Sequence, residues 1–205
     1  MEIPMKLFYT PGACSLAVHI TLCETGFPFE KESVDLGTKK TASGADFTAI
    51  NAKGYIPALQ LDNGELLTEG PAINQYLADL VPEKKLAPAN GTLDRVRVQS
   101  WLTFIGTELH KSFTPLFHPN TDEVKAHAKA NIDKRLTYVN QELAGKAYLV
   151  GDQFSIADAY LFTVIGWMGF LSMPTDAYPN IQALVAKVAA RPAVQTAMKA
   201  EGLIK

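Results

Sequence analysis

The sequence predicts a small α/β domain followed by a domain made only of helices. Strand-like and helix-like runs alternate in the first part of the chain, a short stretch rich in proline and lysine follows, and the later apolar patterns all have helical spacing. We therefore place the α/β domain at residues 5–81, a linker at 82–91 and an all-α domain at 92–205. A chain of 205 residues is long enough to bury the cores of two such domains.

The first three elements predict a βαβ unit. Residues 5–9, MKLFY, form a short apolar run typical of a buried strand. Residues 15–25 carry apolar side chains at helical spacing, and Gly26 ends this helix as a C-cap glycine does. Residues 29–36 alternate like a strand with one solvated face. A strand, a helix and a strand in such a short stretch indicate a parallel strand pair.

A hairpin and a third helix complete the first domain. Residues 37–54 are rich in small and polar side chains and predict a loop with one weak helical turn. In the segment 56–68, two strand-like runs flank Asp62-Asn63-Gly64. Asn-Gly between apolar strands is typical of the type I′ turn, in which both residues have a positive φ. Residues 70–80 form the next helix, with a proline tolerated in its first turn.

The second domain is predicted to be a series of helices. An apolar stripe with steps of three and four residues runs through 92–117 and predicts one long helix. The stripe consists of Val98, Leu102, Ile105, Leu109, Phe113 and Leu116. Residues 121–143, 155–170 and 180–190 are further helical segments, and a short helix follows Pro192.

Composition and missing motifs exclude several classes of protein. A net charge of −2 gives no sign of a nucleic-acid partner. No apolar run reaches the length of a membrane-spanning helix, and two cysteines without a C-x-x-C motif fit a reducing compartment, so we expect a soluble cytoplasmic protein with no membrane partner. The sequence has no glycine-rich nucleotide loop, and its His and Cys residues lack zinc-binding spacing, so we expect no metal.

Cys14 is the first candidate for chemistry because it lies at the predicted start of the first helix. Unpaired N–H groups and the helix dipole stabilise a negative charge there, and they can lower the pKa of a thiol to about 3.5–7.5. The same groups suit the thiolate of a substrate, and the hydroxyl of Ser15 is a candidate helix cap or anion donor. The alternative is a small buried cysteine, which is how we interpret Cys23 on the helix body.

Pro57 and Glu69 are candidates for binding a ligand. Pro57 opens a predicted strand, and if the Ile56–Pro57 bond is cis, the backbone N–H and C=O of Ile56 are left to pair with an extended ligand. Glu69 precedes a helix, where a carboxylate and N–H groups can bind both ends of a zwitterion. The alternative for Glu69 is a carboxylate that stabilises the helix N-terminus.

His110 lies off the apolar stripe of its helix. Its neighbours at helical spacing are small or polar and include Thr103 and Gly106. A histidine on such a face fits the wall of a cleft, and the alternative is a solvated or packed side chain. We interpret the other three histidines as structural.

Several of these features occur together in one family. The segments FYTPGACSLAVHI, GYIPALQLDNGELLTEGPAINQYL, ELHKSFTPLF and FSIADAYLF resemble cytosolic glutathione transferases, and most closely those of the bacterial beta class. The match runs from Met5 to the C-terminus. The resemblance implies a thioredoxin-like N-terminal domain with a cis-Pro57, an all-helical C-terminal domain, a homodimer, and glutathione as co-substrate.

The resemblance also implies roles for individual residues. Cys14 would lie beside the sulfur of glutathione and form a mixed disulfide with it, and His110 would lie near the same sulfur as a second catalytic residue. The implied glutathione-binding residues are Lys39 for the glycine carboxylate, Ile56 and Pro57 for the cysteinyl part, Glu69 and Gly70 for the γ-glutamyl end, Thr103 in the same cleft, and Glu108, which would reach the glutathione of a partner subunit. Ser155 and Asp158 match the family's capping box, a folding element.

Three residues depart from the family pattern or compete with Cys14. Gly70 stands where many members carry serine, which removes a hydroxyl donor but leaves the backbone N–H. Thr103 stands where some members carry asparagine. The resemblance also implies that Tyr9 lies near the sulfur of glutathione. In the beta class this tyrosine is not usually the activating residue, so Cys14 ranks above it.

Two reactions are compatible with the implied site. In the first, the glutathione thiolate attacks a small apolar electrophile held by side chains such as His110, Phe113 and Phe117. In the second, Cys14 takes part in thiol–disulfide exchange, and a second glutathione releases it. We expect a glutathione S-transferase that catalyses both. The alternative is a non-catalytic ligand-binding or regulatory protein on the same fold.

Overall fold

A computed structural model describes residues 4–205, over which five strands and nine α-helices form. The strands are β1 (Met5–Tyr9), β2 (Phe29–Asp35), β3 (Lys40–Thr41), β4 (Ala58–Gln60) and β5 (Leu66–Thr68). The α-helices are α1 (Ser15–Thr25), α2 (Phe47–Ile50), α3 (Gly70–Asp79), α4 (Leu93–Phe104), α5 (Lys111–Phe117), α6 (Asp122–Glu142), α7 (Ile156–Phe170), α8 (Pro179–Ala189) and α9 (Pro192–Ala200). A 3-10 turn covers Pro82–Lys84, and a π-helical segment, Ile105–His110, joins α4 to α5.

The chain divides into two compact units. The N-terminal unit contains residues 4–86 together with Arg191–Lys205, and the helical unit contains Ala87–Ala190. The sequence analysis instead placed 191–205 in the helical domain. The difference has a packing cause: α1 is buried around nearly its whole circumference, so it needs cover on a second side, and α9 packs on it there while α3 packs on it elsewhere.

The N-terminal unit is a thioredoxin-like domain with a mixed five-stranded sheet in the order β3-β2-β1-β4-β5. Strands β1 and β2 are parallel, with Met5 opposite Phe29, which confirms the predicted βαβ unit. The remaining neighbours are antiparallel. The short β3 lies where the sequence predicted only a loop, and α2 is the predicted weak helical turn.

Alternation along β1 sends side chains to two separate cores. Leu7 and Tyr9 join the cluster beneath α1 and α3, which also holds Val18, Leu22, Leu59, Leu61, Ile73 and Leu77. Phe8 points to the other face and packs with Val34, Phe47, Ile56 and Ala58. Helices on both faces therefore bury a sheet whose central strand is apolar on both sides.

The predicted hairpin forms, but its turn is not of type I′. Gly64 has a φ of 85°, whereas Asn63 is not among the residues with positive φ. The backbone N–H of Leu61 bonds to the carbonyl of Glu65, so the loop between the paired positions is Asp62-Asn63-Gly64, the three residues that the sequence placed there. A three-residue loop with a left-handed glycine at its end meets the strand twist without a second positive φ.

The long helix predicted at 92–117 is continuous but changes its winding in the π-helical segment. Two successive four-residue steps rotate a side chain by about 80° around an α-helix. The wider π turn compensates for this rotation. It keeps Ile105, Leu109 and Phe113, all fully buried, on the core side of the helix.

The helical unit is built around α7, which is buried at every residue from 156 to 165. The predicted capping box starts this helix. The Asp158 carboxylate accepts hydrogen bonds from the N–H and hydroxyl of Ser155 at 2.8 and 2.9 Å, and from the N–H of Leu149 at 2.8 Å. The box therefore fixes both the start of α7 and the preceding turn.

Candidate active site

Cys14 occupies the N-cap position of α1, directly after the turn that follows β1. It is half-buried and packs against the core cluster of Phe8 and Ile56. Its thiol donates a hydrogen bond to the carbonyl of Ile56 at 3.4 Å. The sequence placed Cys14 correctly at a helix start, and the structure adds that its sulfur lies against the backbone before Pro57.

Ser15 does not cap the helix, contrary to one expectation from the sequence. Its side chain is fully buried and bonds back to Thr10, accepting from the N–H at 3.2 Å and donating to the carbonyl at 3.3 Å. The hydroxyl therefore closes the turn that carries Cys14.

Two of the predicted binding residues meet at the start of α3. The Ile56–Pro57 peptide bond is cis, and Pro57 lies beside Gly70. A Cβ added at Gly70 would lie 3.4 Å from the Pro57 ring carbon Cγ, an ordinary contact distance. Gly70, the first residue of α3, therefore lies next to Pro57, and the residue before Pro57 is Ile56, whose carbonyl contacts Cys14.

Glu69 sits at the N-cap of α3 with a φ of 67° and makes no side-chain cap hydrogen bond. Its carboxylate oxygen Oε1 instead accepts from the Lys53 ammonium at 2.6 Å and from the Tyr55 hydroxyl at 2.8 Å. These bonds raise the pKa of both partners, because each donor proton is held by the carboxylate. The alternative role for Glu69, a negative charge that stabilises the helix N-terminus, stays open, because the residue stands at the N-cap without a side-chain cap bond.

Lys39 lies on the loop after β2 and has a positive φ of 57°. Its ammonium donates to the carbonyl of Gly54 at 2.8 Å. This contact ties the β2–β3 loop to the segment that precedes Pro57. The charge of Lys39 is thus held near the same backbone that contacts Cys14.

One short segment, 53–57, contacts every predicted site residue of the N-terminal unit. Gly54 meets Lys39, Ile56 meets Cys14, Pro57 meets Gly70, and Lys53 with Tyr55 holds Glu69; the distances are those given above. The sequence analysis missed Lys53 and Tyr55. Lys53 lies just before one of the segments that carry the resemblance, and Tyr55 lies in that segment without an implied role. Only the fold brings the two to a carboxylate 14–16 positions later in the chain.

The other thiol and the nearby phenol are engaged elsewhere. Burial raises the pKa of Cys23 to about 11, helped by the carboxylates of Glu24 and Glu201, so this cysteine stays a thiol at neutral pH. The Tyr9 ring packs in the core beneath α1 and α3, and its hydroxyl accepts from Lys31 at 3.1 Å. Both observations leave Cys14 as the nucleophile candidate.

The remaining predicted residues lie in the helical unit. His110 ends the π-helical segment, and its Nδ1 shares a hydrogen bond of 2.7 Å with the hydroxyl of Tyr160. Its ring also lies edge-on to Trp167, with ring centres 4.7 Å apart. Burial, and secondarily the charge of Lys111, lowers the pKa of His110 to about 4. The imidazole is therefore neutral at pH 7.

His110 belongs to an aromatic cluster with Phe113, Phe117, Trp167 and Phe170. Phe113 is fully buried, so the expectation that it contacts an electrophile is wrong: the wide π turn directs it into the core. Phe117 and Phe170 are 41% and 80% exposed. They provide the accessible apolar surface of this cluster.

Thr103 and Glu108 make local contacts within the helical unit. The exposed Thr103 donates to the carbonyl of Gln99 at 2.9 Å, one turn back in α4. The Glu108 carboxylate accepts from the Arg135 guanidinium through Nε at 3.0 Å and through a terminal nitrogen at 2.7 Å. Arg135 thus fixes the direction of the Glu108 side chain.

An open groove of about 710 Å³ is separate from these residues. It lies in the helical unit and is lined by polar side chains that include Lys111, Ser112, His127 and Asn131. No predicted site residue lines it. Within residues 4–205, His, Cys, Asp and Glu side chains form no group of three that could hold a metal ion. Among the helices described here, none has the length and apolar character needed to cross a membrane.

Two family models match the two parts of the chain. The model of the glutathione S-transferase N-terminal domain matches residues 3–79, and the model of the C-terminal domain matches residues 104–192. The first match ends at the last residue of α3. The second begins in the last turn of α4 and ends at the start of α9.

Relatives extend the match to nearly the whole chain. The chain is 50% identical over 200 residues to the glutathione S-transferase GstA of Escherichia coli O157:H7, which covers 97% of this chain and 100% of the relative. It is similar to a sphingomonad glutathione S-transferase solved in complex with glutathione, with a TM-score of 0.93, 50% identity, and coverage of 97% and 100%. It is also similar to the beta-class enzyme of Sphingomonas chungbukensis, with a TM-score of 0.94, 48% identity, and coverage of 97% and 100%. A relative half identical over nearly the full length of both chains, together with the two family models, shows that this chain belongs to the glutathione S-transferase family, in its bacterial beta class.

Proposed function

We propose that the chain is an enzyme that conjugates the thiolate of glutathione to small apolar electrophiles, and that it also catalyses glutathione-dependent thiol–disulfide exchange through Cys14. The observation that carries the proposal is the 53–57 segment, which gathers the thiol, a lysine and a glutamate of one unit along a short stretch of backbone. A tripeptide with charged groups at both ends and a thiol in the middle matches this order.

The order of the groups suggests how glutathione binds. Glu69 accepts the ammonium of the γ-glutamyl residue, and the N–H of Gly70 donates to its carboxylate. The cysteinyl part pairs with the backbone of Ile56 beside Pro57, as an added strand does. Lys39 then meets the glycine carboxylate at the other end. This arrangement leaves the glutathione sulfur at the N-terminus of α1, beside Cys14.

Conjugation needs the glutathione thiol as a thiolate. The helix dipole at the N-terminus of α1 and the backbone N–H of Ser15 stabilise that negative charge, and both belong to the backbone. The N–H groups of Leu16 and Ala17 already donate to the carbonyls of Ala13 and Cys14 at 2.9 and 3.3 Å. The first turn of α1 contains no acidic residue to oppose them. The thiolate then attacks the electrophile, forms a C–S bond and expels the leaving group.

Exchange uses Cys14 itself. Its thiolate attacks a glutathionyl disulfide, forms a mixed disulfide with glutathione and releases the other thiol as a thiolate. A second glutathione thiolate attacks the mixed disulfide, releases Cys14 and leaves as oxidised glutathione. The route needs no second protein cysteine, in keeping with a Cys23 whose pKa is raised to about 11 by burial.

The helical unit supplies the surface for the electrophile. The exposed rings of Phe117 and Phe170 offer an apolar face to small apolar or aromatic molecules. We keep His110 as the catalytic candidate of this unit, as a neutral imidazole, and Thr103 as a candidate glutathione contact, both on the strength of the resemblance.

We further propose a cytoplasmic homodimer in which Glu108 reaches the glutathione of the partner subunit. The support is the family resemblance and two free cysteines, which suit a reducing compartment. Sedimentation of the purified chain tests the dimer. If the chain sediments as a monomer that still binds glutathione, the role of Glu108 is excluded.

The central test compares the intact protein with Cys14→Ala in two assays. We expect Cys14→Ala to keep conjugation of an aryl halide within about tenfold of the intact protein, because the backbone donors remain. We expect it to lose disulfide exchange by more than about a hundredfold, because the attacking atom is gone.

Cys23→Ala serves as the matched control and should leave both activities unchanged. Loss of both activities in Cys14→Ala would place the Cys14 thiol in the conjugation step. Retention of both would remove Cys14 from the mechanism. If the intact protein binds no glutathione at all, the chain is a non-catalytic protein on this fold.

A further inference from the structure

Lys53 and Glu69 form an exposed ion pair that contributes little to the stability of the fold. The ammonium of Lys53 lies 2.6 Å from Glu69 Oε1, and the two side chains are 45% and 53% exposed. Pairs this exposed contribute little to folding, because water screens the charges. Yet Glu69 adopts a strained positive φ here, and such strain is concentrated at binding sites.

The local contacts fix the ammonium of Lys53 in place and leave it reachable. Lys53 donates to the hydroxyl of Thr68 at 3.0 Å as well as to Glu69. The Tyr55 hydroxyl donates to the same oxygen of Glu69 at 2.8 Å. An ammonium has three N–H groups, of which Thr68 and Glu69 take two. The third lies beside the Tyr55 hydroxyl, which the carboxylate of a ligand would replace as its partner.

We propose that Lys53 is a further glutathione-binding residue, which takes the α-carboxylate of the γ-glutamyl residue while Glu69 takes its α-ammonium; this inference rests on the proposed function. The γ-glutamyl end is a zwitterion with both charges on one carbon. When the γ-glutamyl end lies with its carboxylate on Lys53 and its ammonium on Glu69, the four charges form a ring in which the signs alternate. Each charge then has two opposite neighbours, and the hydrogen bonds are charge-assisted.

The composition of the α3 start favours a lysine in this role. Gly70 offers the carboxylate only a backbone N–H, without a side-chain donor. Lys53 supplies the missing donor together with a full positive charge. The hydrogen bond from Tyr55 holds Glu69 Oε1 in position. The carboxylate therefore keeps its orientation while Lys53 binds the ligand.

The opposite effect of Lys53 is also physically possible, and the two effects are separable. The Lys53 ammonium is itself a ligand of Glu69, so it could compete with the ammonium of glutathione. In that case its removal would strengthen binding. If Lys53 binds the carboxylate, its removal weakens binding only for ligands that carry that carboxylate.

Calorimetric titration of the intact protein and of Lys53→Met decides between these effects. The ligands are glutathione, an analogue without the γ-glutamyl α-carboxylate, and an analogue without the α-amino group. We expect Lys53→Met to raise the Kd for glutathione and for the amino-free analogue by about five- to twentyfold, the range for a partly exposed charge-assisted bond. The Kd for the carboxylate-free analogue should be unchanged or lower.

Lys84→Met is the matched control, since Lys84 is an exposed lysine of the same unit at the Pro82–Lys84 turn. It should bind all three ligands as the intact protein does. Tighter binding of glutathione by Lys53→Met, equal weakening for all three ligands, or no change would each overturn the proposal while leaving the proposed function standing. Failure of the intact protein to bind glutathione would overturn both.

Discussion

Glu69 shows how one backbone angle decides what a side chain can do. A positive φ costs a residue with a side chain about 1–2 kcal/mol. At Glu69 this angle accompanies a carboxylate that leaves the N–H groups of α3 uncapped and bonds to Lys53 and Tyr55 instead. The N–H of Gly70 is then left for a second anion beside the carboxylate, whereas the N–H groups of Ala72 and Ile73 already donate to the Glu69 carbonyl at 2.9 and 3.0 Å. A helix-capping glutamate could not offer both.

Asn74 is a buried polar residue that costs the protein folding free energy. It is fully buried in α3, and neither its amide oxygen nor its amide nitrogen has a hydrogen-bond partner among the described residues. Burying an unsatisfied polar group costs about 1–3 kcal/mol. We expect Asn74→Leu, which keeps the branched shape and the number of side-chain heavy atoms, to raise the free energy of unfolding by about that amount in urea denaturation.

Asn51→Leu is the matched control for Asn74→Leu. Asn51 is also buried, but its amide donates to the carbonyl of Tyr55 at 2.8 Å and accepts from the N–H of Lys53 at 3.1 Å. The same substitution there should destabilise the protein. If both variants lose stability alike, the Asn74 amide is satisfied in solution.

At the scale of elements, α9 is joined to the turn that carries Cys14. Glu201, at the C-cap of α9, is fully buried at its side chain. One oxygen accepts from the N–H of Gly12 at 2.8 Å, and the other bonds to the His19 ring at 2.7 Å. The last helix in the sequence therefore supports the first turn of the candidate site.

Removing this carboxylate takes a hydrogen bond from the half-buried N–H of Gly12 and from the buried ring of His19. We expect Glu201→Ala to lower the free energy of unfolding by about 2–5 kcal/mol. Glu142→Ala is the control, because its pair with Lys146 is 42% and 40% exposed and should contribute less than about 1 kcal/mol. Equal stabilities of the two variants in urea denaturation would show that α9 is held by its apolar contacts alone.

At the scale of the whole molecule, two buried groups give opposite pH dependences of stability. The pKa of His110 is lowered by burial to about 4, so between pH 4 and 6.5 the unfolded chain binds a proton that the folded chain does not. Stability from this group rises with pH across that window. The pKa of Asp158 is raised by burial to about 6, so between pH 3.8 and 6 the folded chain holds the extra proton, and stability falls as pH rises.

The two slopes oppose each other between about pH 4 and 6, and each variant should expose the slope that remains. In His110→Gln, unfolding free energy should fall by up to about 3 kcal/mol more than in the intact protein as pH rises through this window. Asp158→Asn should change the slope in the opposite direction. The control His127→Gln alters an exposed histidine. Urea titrations at several pH values measure the slopes, and parallel curves for all four proteins would contradict the assignment.

Patterns of adjacent residues were enough to predict the local elements and two of the candidate site residues. Strand β1, helix α1, the hairpin and the capping box follow from patterns of adjacent residues, and Cys14 and Glu69 were found because they sit where such patterns end. The resemblance supplied Lys39 and Gly70. Their roles stay predictions, while the family itself is confirmed by the relatives.

Contacts between separate segments of the chain could be identified only from the folded structure. No local pattern places Lys53 and Tyr55 on Glu69, or Glu201 on Gly12, because these contacts join segments far apart in sequence. The same holds for α9, whose amphipathic pattern shows that it packs but not on which unit. Periodicity fixes which face of an element is buried; the partner of that face is chosen by the packing of the whole chain.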